Sequence, residues 1–116
     1  MKYTHDIKED ILFLKFEGDL IGENHGSELV SVVNDHLNKN IVHCAIDISA
    51  VRYINSSGIG VLITMLTKFR NKGGEVVLIK PSKTVEKLLL ITKLNSIFGI
   101  YNDESTAIKE LKTTKE

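Results

Sequence analysis

Apolar and polar positions follow two periods along this chain, and the switches between them mark its elements. Residues 2 to 8, Lys-Tyr-Thr-His-Asp-Ile-Lys, alternate weakly and predict a polar edge strand. Glu9-Asp10 turns the chain into Ile11-Leu12-Phe13-Leu14-Lys15-Phe16, which is apolar on both faces at its start and so more interior; the two strands form a hairpin. Gly18 to Gly22 reads as a loop. Leu29, Val32, Val33 and His36-Leu37 recur on one helix face, predicting an amphipathic helix over about 24–38.

Ile41 to Ile48 is a continuous apolar run with β-branched residues, as a strand covered on both faces requires, and a short polar link follows Asp47. Ile59, Leu62, Ile63, Met65, Leu66 and Phe69 then form the stripe of a second helix, ended by Lys72-Gly73-Gly74. Glu75 to Lys80 is the next strand, stopped by Pro81. Ser82 caps a third helix carrying Val85, Leu88, Leu89 and Thr92, with Leu94 packing beyond it. Ile97 to Tyr101 is short and extended, and Asp103 caps a last helix using Ala107, Ile108 and Leu111. The order ββαβαβαβα, with about four helices, predicts an α/β fold whose mostly parallel sheet is opened by a β-hairpin. One domain spans 1–112, and 113–116 form a frayed tail.

Composition narrows the partners more than the fold. With 116 residues, 42% hydrophobic and 26% charged, the chain can bury a core without staples. Fifteen basic and fifteen acidic side chains cancel and no basic stripe stands out, so a nucleic-acid or anionic-membrane surface is not expected. The single cysteine, Cys44, lies within the apolar run and reads as a small buried side chain without a disulfide. No charged leader precedes the fold, and no apolar run approaches the roughly 20 residues of a membrane helix. A cytoplasmic protein without direct membrane insertion is the expectation.

The chemistry concentrates in Asn55-Ser56-Ser57-Gly58-Ile59-Gly60, at the start of the second helix. Three successive residues can cap, although a helix uses one, and each glycine costs about 1 kcal/mol relative to alanine inside a helix. Ser57 can be the cap while Ser56 is presented, and bare glycines let a partner backbone or a phosphate approach. Three chemistries compete with plain capping. A phosphate cradle is one, but no lysine follows the glycines and Ile63 stands where a third glycine would fall. A hydrolase serine is another, but Gly-x-Ser-x-Gly is absent. His5 and His43 lie within strands and His36 on the first helix, so His25, in a loop near a strand's carboxyl end, is the one histidine to check as a base. Metal binding is not expected, since no His, Cys or carboxylate pair shows ligand spacing across neighbouring turns. The third chemistry makes the serine a substrate: a phosphate is tolerated at a helix N-terminus but repels a partner docked flat upon it.

Asp47-Ile48-Ser49 followed by Ile54-Asn55-Ser56-Ser57-Gly58-Ile59-Gly60-Val61-Leu62 resembles the signature of the STAS domain family, the bacterial anti-sigma factor antagonists. Gly18-Asp19-Leu20, Gly73-Gly74-Glu75 and Leu94 with Ile97-Phe98 and Tyr101 resemble that family in order and spacing, so the likeness covers about Lys2 to Leu111. The resemblance implies a non-enzymatic domain that binds a cognate anti-sigma factor, usually a serine kinase, and so frees its sigma factor. The kinase, supplying ATP and magnesium, phosphorylates Ser56 (alternatively Ser57) and ends the binding; a serine phosphatase restores it. The partner surface implied is Asn55, Ser56, Ser57, Gly58, Ile59 and Gly60, with His25, and no cofactor or metal belongs to the domain itself. The family usually has aspartate where this chain has Asn55, which lowers the charge beside the phosphate position. The alternative role is a constitutive STAS accessory subunit of a transporter or stress-signalling assembly.

Overall fold

The computed structural model describes residues 2–20 and 26–114. Among them run β1 (Lys2–Lys8), β2 (Ile11–Leu20), α1 (Gly26–Leu37), β3 (His43–Ile54), α2 (Ser56–Asn71), β4 (Glu75–Ile79), α3 (Lys83–Ile91), a 3-10 turn (Leu94–Ser96), β5 (Gly99–Tyr101) and α4 (Glu104–Thr114). The five strands lie side by side in chain order; β1 pairs antiparallel with β2, and every later pair is parallel. This is the expected architecture, a parallel sheet opened by a hairpin. Glu9 and Asp10 both take positive φ, 51° and 64°, which gives the two-residue turn the twist that antiparallel strands need.

Alternation along the central strands sorts the core into two layers. Leu12, Leu14, Cys44, Ile46, Val76 and Leu78 point to one side, where they meet Leu29, Leu62, Phe69 and Leu89 from α1, α2 and α3. Ile11, Phe13, Ala45, Val77 and Ile79 point to the other and meet Ala107 and Leu111 of α4. Burying an aliphatic side chain of this size contributes about 1.5–3 kcal/mol, so the three central strands anchor whatever is mounted at their ends. Cys44 is fully buried in β3, and burial pushes its thiol far above the ordinary range, which keeps it protonated and unreactive.

One outward N–H on the free edge of β1 is taken up by a side chain of the same strand. Lys8 and Ile11 close the turn, so Ile7 lies at the next, non-hydrogen-bonded pair and its N–H points away from β2. That N–H donates to the Asp6 carboxylate at 2.8 Å.

Two strands run further than the sequence expectation, β3 begins at His43 where Ile41 is expected, and the last strand begins at Gly99 where Ile97 is expected. β2 continues through Gly18 and Asp19 to Leu20 where a loop is predicted, and β3 continues from Asp47 to Ile54 in place of the polar link. Their pairing carries two bulges: between Lys15↔Asp47 and Glu17↔Ala50, and between Gly18↔Val51 and Asp19↔Tyr53, β3 takes an extra residue each time. The expected start of α1 at 24 falls outside the described residues, and the helix is seen from Gly26. α4 reaches Thr114, past the expected domain end at 112, and 115–116 lie outside the described residues.

Candidate functional site

The bulged extension of β3 delivers the chain to the start of α2 with one residue between strand and helix. That residue, Asn55, has an extended backbone (φ −95°, ψ −179°), and its side-chain oxygen accepts the Gly58 N–H at 2.8 Å. It is therefore the N-cap, satisfying one of the donors that a helix start leaves without a partner. The sequence points to Ser57 for this role; the structure corrects it, because Ile54 still belongs to the strand and the helix begins at Ser56. Ser56 and Ser57 occupy the first two helical positions, both exposed, with neither hydroxyl hydrogen-bonded to another side chain or to the backbone.

The two glycines separate in role. A Cβ on Gly58 would stand 2.0 Å from the Leu20 carbonyl oxygen, so only a bare Cα lets the end of β2 lie against α2. The Asn55 N–H donates to the same carbonyl at 3.2 Å. Gly58 is buried and unavailable to a partner, which corrects its expected place on a docking surface. Gly60 is exposed, and a Cβ there would meet nothing within 4 Å. Ile59 is half-buried against the core. Of the seven residues expected to face a partner, Ser56, Ser57 and Gly60 are exposed and Asn55 and Ile59 partly so. His25 lies outside the described residues.

The charged groups and rings near the two serines are already engaged or lie elsewhere among the described residues. The first turn of α2 holds no acidic residue. Asp19 pairs with Arg52 at 3.4 Å, and Asp47 accepts the Ser49 N–H at 2.9 Å while lying 3.9 Å from the Lys80 ammonium. His43 starts β3, at the opposite end of the strand from the serines, and His5 and His36 meet between β1 and α1. None of these rings is placed to take a proton from Ser56 or Ser57. Among the described residues no group of three or more His, Cys, Asp or Glu is arranged to hold a metal ion, and no helix is long and apolar enough to cross a membrane.

With the helix start and its two exposed serines placed beyond the carboxyl end of a central strand, the family model of the STAS domain matches residues 3–107. The chain belongs to the STAS domain family. It is similar to the TM1081 homolog of Thermotoga neapolitana, 31% identical over 110 residues and spanning 95% of this chain and 97% of that one. The crystal structure of TM1081 from Thermotoga maritima superposes with a TM-score of 0.84 at 28% identity, covering 95% of this chain and 94% of that one. An anti-sigma F factor antagonist from Paenibacillus polymyxa is 27% identical over 104 residues, 88% of this chain and 87% of its own.

This STAS domain also carries an apolar groove that sequence reasoning missed. Between the end of β3 and α3, Tyr53, Val85, Leu88 and Ile91 line a cavity of about 340 Å³, rimmed by Arg52, Thr84 and Lys87. Tyr53 is 52% exposed and Ile91 78%, so the groove opens to solvent two residues before Asn55. A signal was present: Leu90 and Ile91 fall outside the apolar stripe of their helix, and Tyr53 stands in a stretch otherwise read as a polar link.

Proposed function

We propose that this STAS domain is an anti-sigma factor antagonist: it binds an anti-sigma factor across the start of α2 and so frees the sigma factor held by that partner. Phosphorylation of Ser56, with Ser57 as the alternative, ends the binding. The carrying observation is that Asn55 alone caps α2 and leaves both serine hydroxyls exposed and unbonded. A phosphate can be attached to either serine without removing a bond that the fold uses. It adds about −1.5 to −2 charges at pH 7, beside backbone N–H groups and a helix dipole that favour them. A partner lying flat on the same spot would have to desolvate those charges, at several kcal/mol each, so binding is lost while the fold stays intact. Similarity to the anti-sigma F factor antagonist of Paenibacillus polymyxa supports the same role.

The groove of Tyr53, Leu88 and Ile91 extends this surface with apolar contact area. The domain itself performs no chemistry: the partner kinase supplies ATP and magnesium, a serine phosphatase restores the free hydroxyl, and the exchange takes place in the cytoplasm. The neutral Asn55 keeps the first turn of α2 free of negative charge, which favours transfer of a phosphoryl group there.

The test is to incubate the chain with its cognate serine kinase, ATP and magnesium, and to map phosphate by peptide mass spectrometry. Phosphate is expected on the peptide bearing Ser56 and Ser57. Ser56→Ala should bind the kinase like the wild type, and Ser56→Asp more weakly; equal affinities would place the interface elsewhere. Co-purification of transporter subunits in place of a kinase would instead support the accessory-subunit role.

A further inference from the structure

His5, on the edge strand β1, and His36, in the last turn of α1, are far apart in sequence, yet their rings meet with centroids 5.7 Å apart and planes at 74°. His36 is half-buried, and its Nδ1 lies 2.8 Å from the Val32 carbonyl one turn back along α1. A carbonyl can only accept, so the neutral ring carries its proton on Nδ1 and keeps a free lone pair on Nε2. A carbonyl holding one ring nitrogen is also the usual outer partner of a metal-binding histidine, because it fixes both the tautomer and the direction of the other nitrogen.

We propose that His5 and His36 together bind one divalent ion of the Zn²⁺ class (Zn²⁺, Ni²⁺ or Cu²⁺). A metal ion bonded to an imidazole nitrogen stands about 3 Å from the ring centre, and two rings on one ion at tetrahedral or wider angles have centres about 5–6 Å apart. The observed separation lies in that interval; the rings now meet edge to face, so the exposed His5 side chain turns to bring its nitrogen to the same ion. Two neutral imidazoles select borderline ions over magnesium or calcium, which require oxygen donors. Among the described residues no third His, Cys, Asp or Glu completes a closed set, so water fills the remaining positions and the affinity is modest. The ion would link β1 to α1, two elements already joined by the Tyr3 hydroxyl, which donates to the Glu28 carboxylate at 3.1 Å. Local sequence spacing could not show this pair, because its members come from different elements. The proposal is independent of the role assigned to the serines.

The test is calorimetric titration of the tag-free full chain with ZnCl2 and NiCl2 in a non-chelating buffer, with thermal unfolding in parallel. One saturable site is expected, with a midpoint raised by Zn²⁺ and unmoved by Mg²⁺. His5→Ala and His36→Ala should each weaken binding by at least about tenfold. His5 is exposed, so its variant folds as the wild type and keeps the test decisive should His36→Ala prove unstable. Absence of saturable binding, an equal response to Mg²⁺, or full binding by the His5→Ala chain would overturn the proposal.

Discussion

At the C-terminus of α2 the Gly73 N–H donates to the Arg70 carbonyl at 3.0 Å and the Gly74 N–H to the Phe69 carbonyl at 2.9 Å, with Gly73 in the left-handed region (φ +82°). Arg70 adds an ion pair to Glu75 at 3.0 Å and donates to the Ile97 carbonyl at 2.9 Å. At the N-terminus one side chain, Asn55, satisfies one N–H, while two adjacent hydroxyls make no bond. Yet both ends press a bare glycine onto a carbonyl, Gly58 onto Leu20 and Gly74 onto Val42. A close-packed glycine therefore says nothing about a ligand here, since it occurs equally at the closed end. What distinguishes the open end is polar groups that the fold does not use.

Substitutions can break this comparison, and the glycines should give the largest effects. A Cβ on Gly74 would sit 1.6 Å from the Val42 oxygen, so Gly74→Ala must displace backbone and should cost about 3 kcal/mol in urea unfolding. Gly58→Ala meets the Leu20 oxygen at 2.0 Å, but regains about 1 kcal/mol of helix propensity, leaving a net loss of about 1–2 kcal/mol. A wild-type midpoint for either variant would show that these contacts relax freely. Gly60→Ala, with open space around it, should stabilise by up to about 1 kcal/mol.

Side chains at the open end come next. Asn55→Ala removes the cap and should cost about 1 kcal/mol, whereas Asn55→Asp keeps it and adds a favourable charge at the helix start, worth about 0.5 kcal/mol at low salt. Ser56→Ala and Ser57→Ala should stay within about 0.5 kcal/mol of the wild type, because neither hydroxyl is bonded in the fold. A loss of 1 kcal/mol or more from Ser57→Ala would restore that serine as a cap.

The smallest effect separates two caps by acidity. Asp103 accepts the Thr106 N–H at 2.7 Å at the start of α4, and hydrogen bonding to Thr106 holds its carboxyl below the ordinary carboxylate value. A lowered folded-state value means that its contribution is present above the unfolded pKa of about 3.9 and fades as pH falls through the folded one. Circular dichroism below about pH 4 should therefore show an acid-dependent weakening that Asp103→Asn reduces, while the neutral Asn55 cap contributes no such slope.

Much of this was legible in the sequence, and the misses have physical causes. The hairpin at Glu9-Asp10, the stop at Gly73-Gly74 and the caps at Ser82 and Asp103 follow from local chemistry, and each is where its residue type predicts. The second half of β3 was hidden because two bulges interrupt the alternation, leaving Ser49-Ala50 and Arg52-Tyr53 as exposed pairs within a strand. Asn55, Ser56 and Ser57 are interchangeable as caps from local sequence alone. The choice is made by where pairing with β2 ends, a contact remote in sequence. Gly58 and Gly60 look alike in sequence for the same reason: the carbonyl that distinguishes them belongs to Leu20.

The Asp6 carboxylate on the Ile7 N–H has a further consequence. β1 leaves a seven-residue strand edge open, with Ile7 42% exposed upon it, and such an edge is a template onto which other chains can polymerise. Filling that N–H from within the chain removes a donor that an incoming strand would need, and it places a charge where that strand would lie. Strand addition at the Ile7 end of this edge is thereby disfavoured.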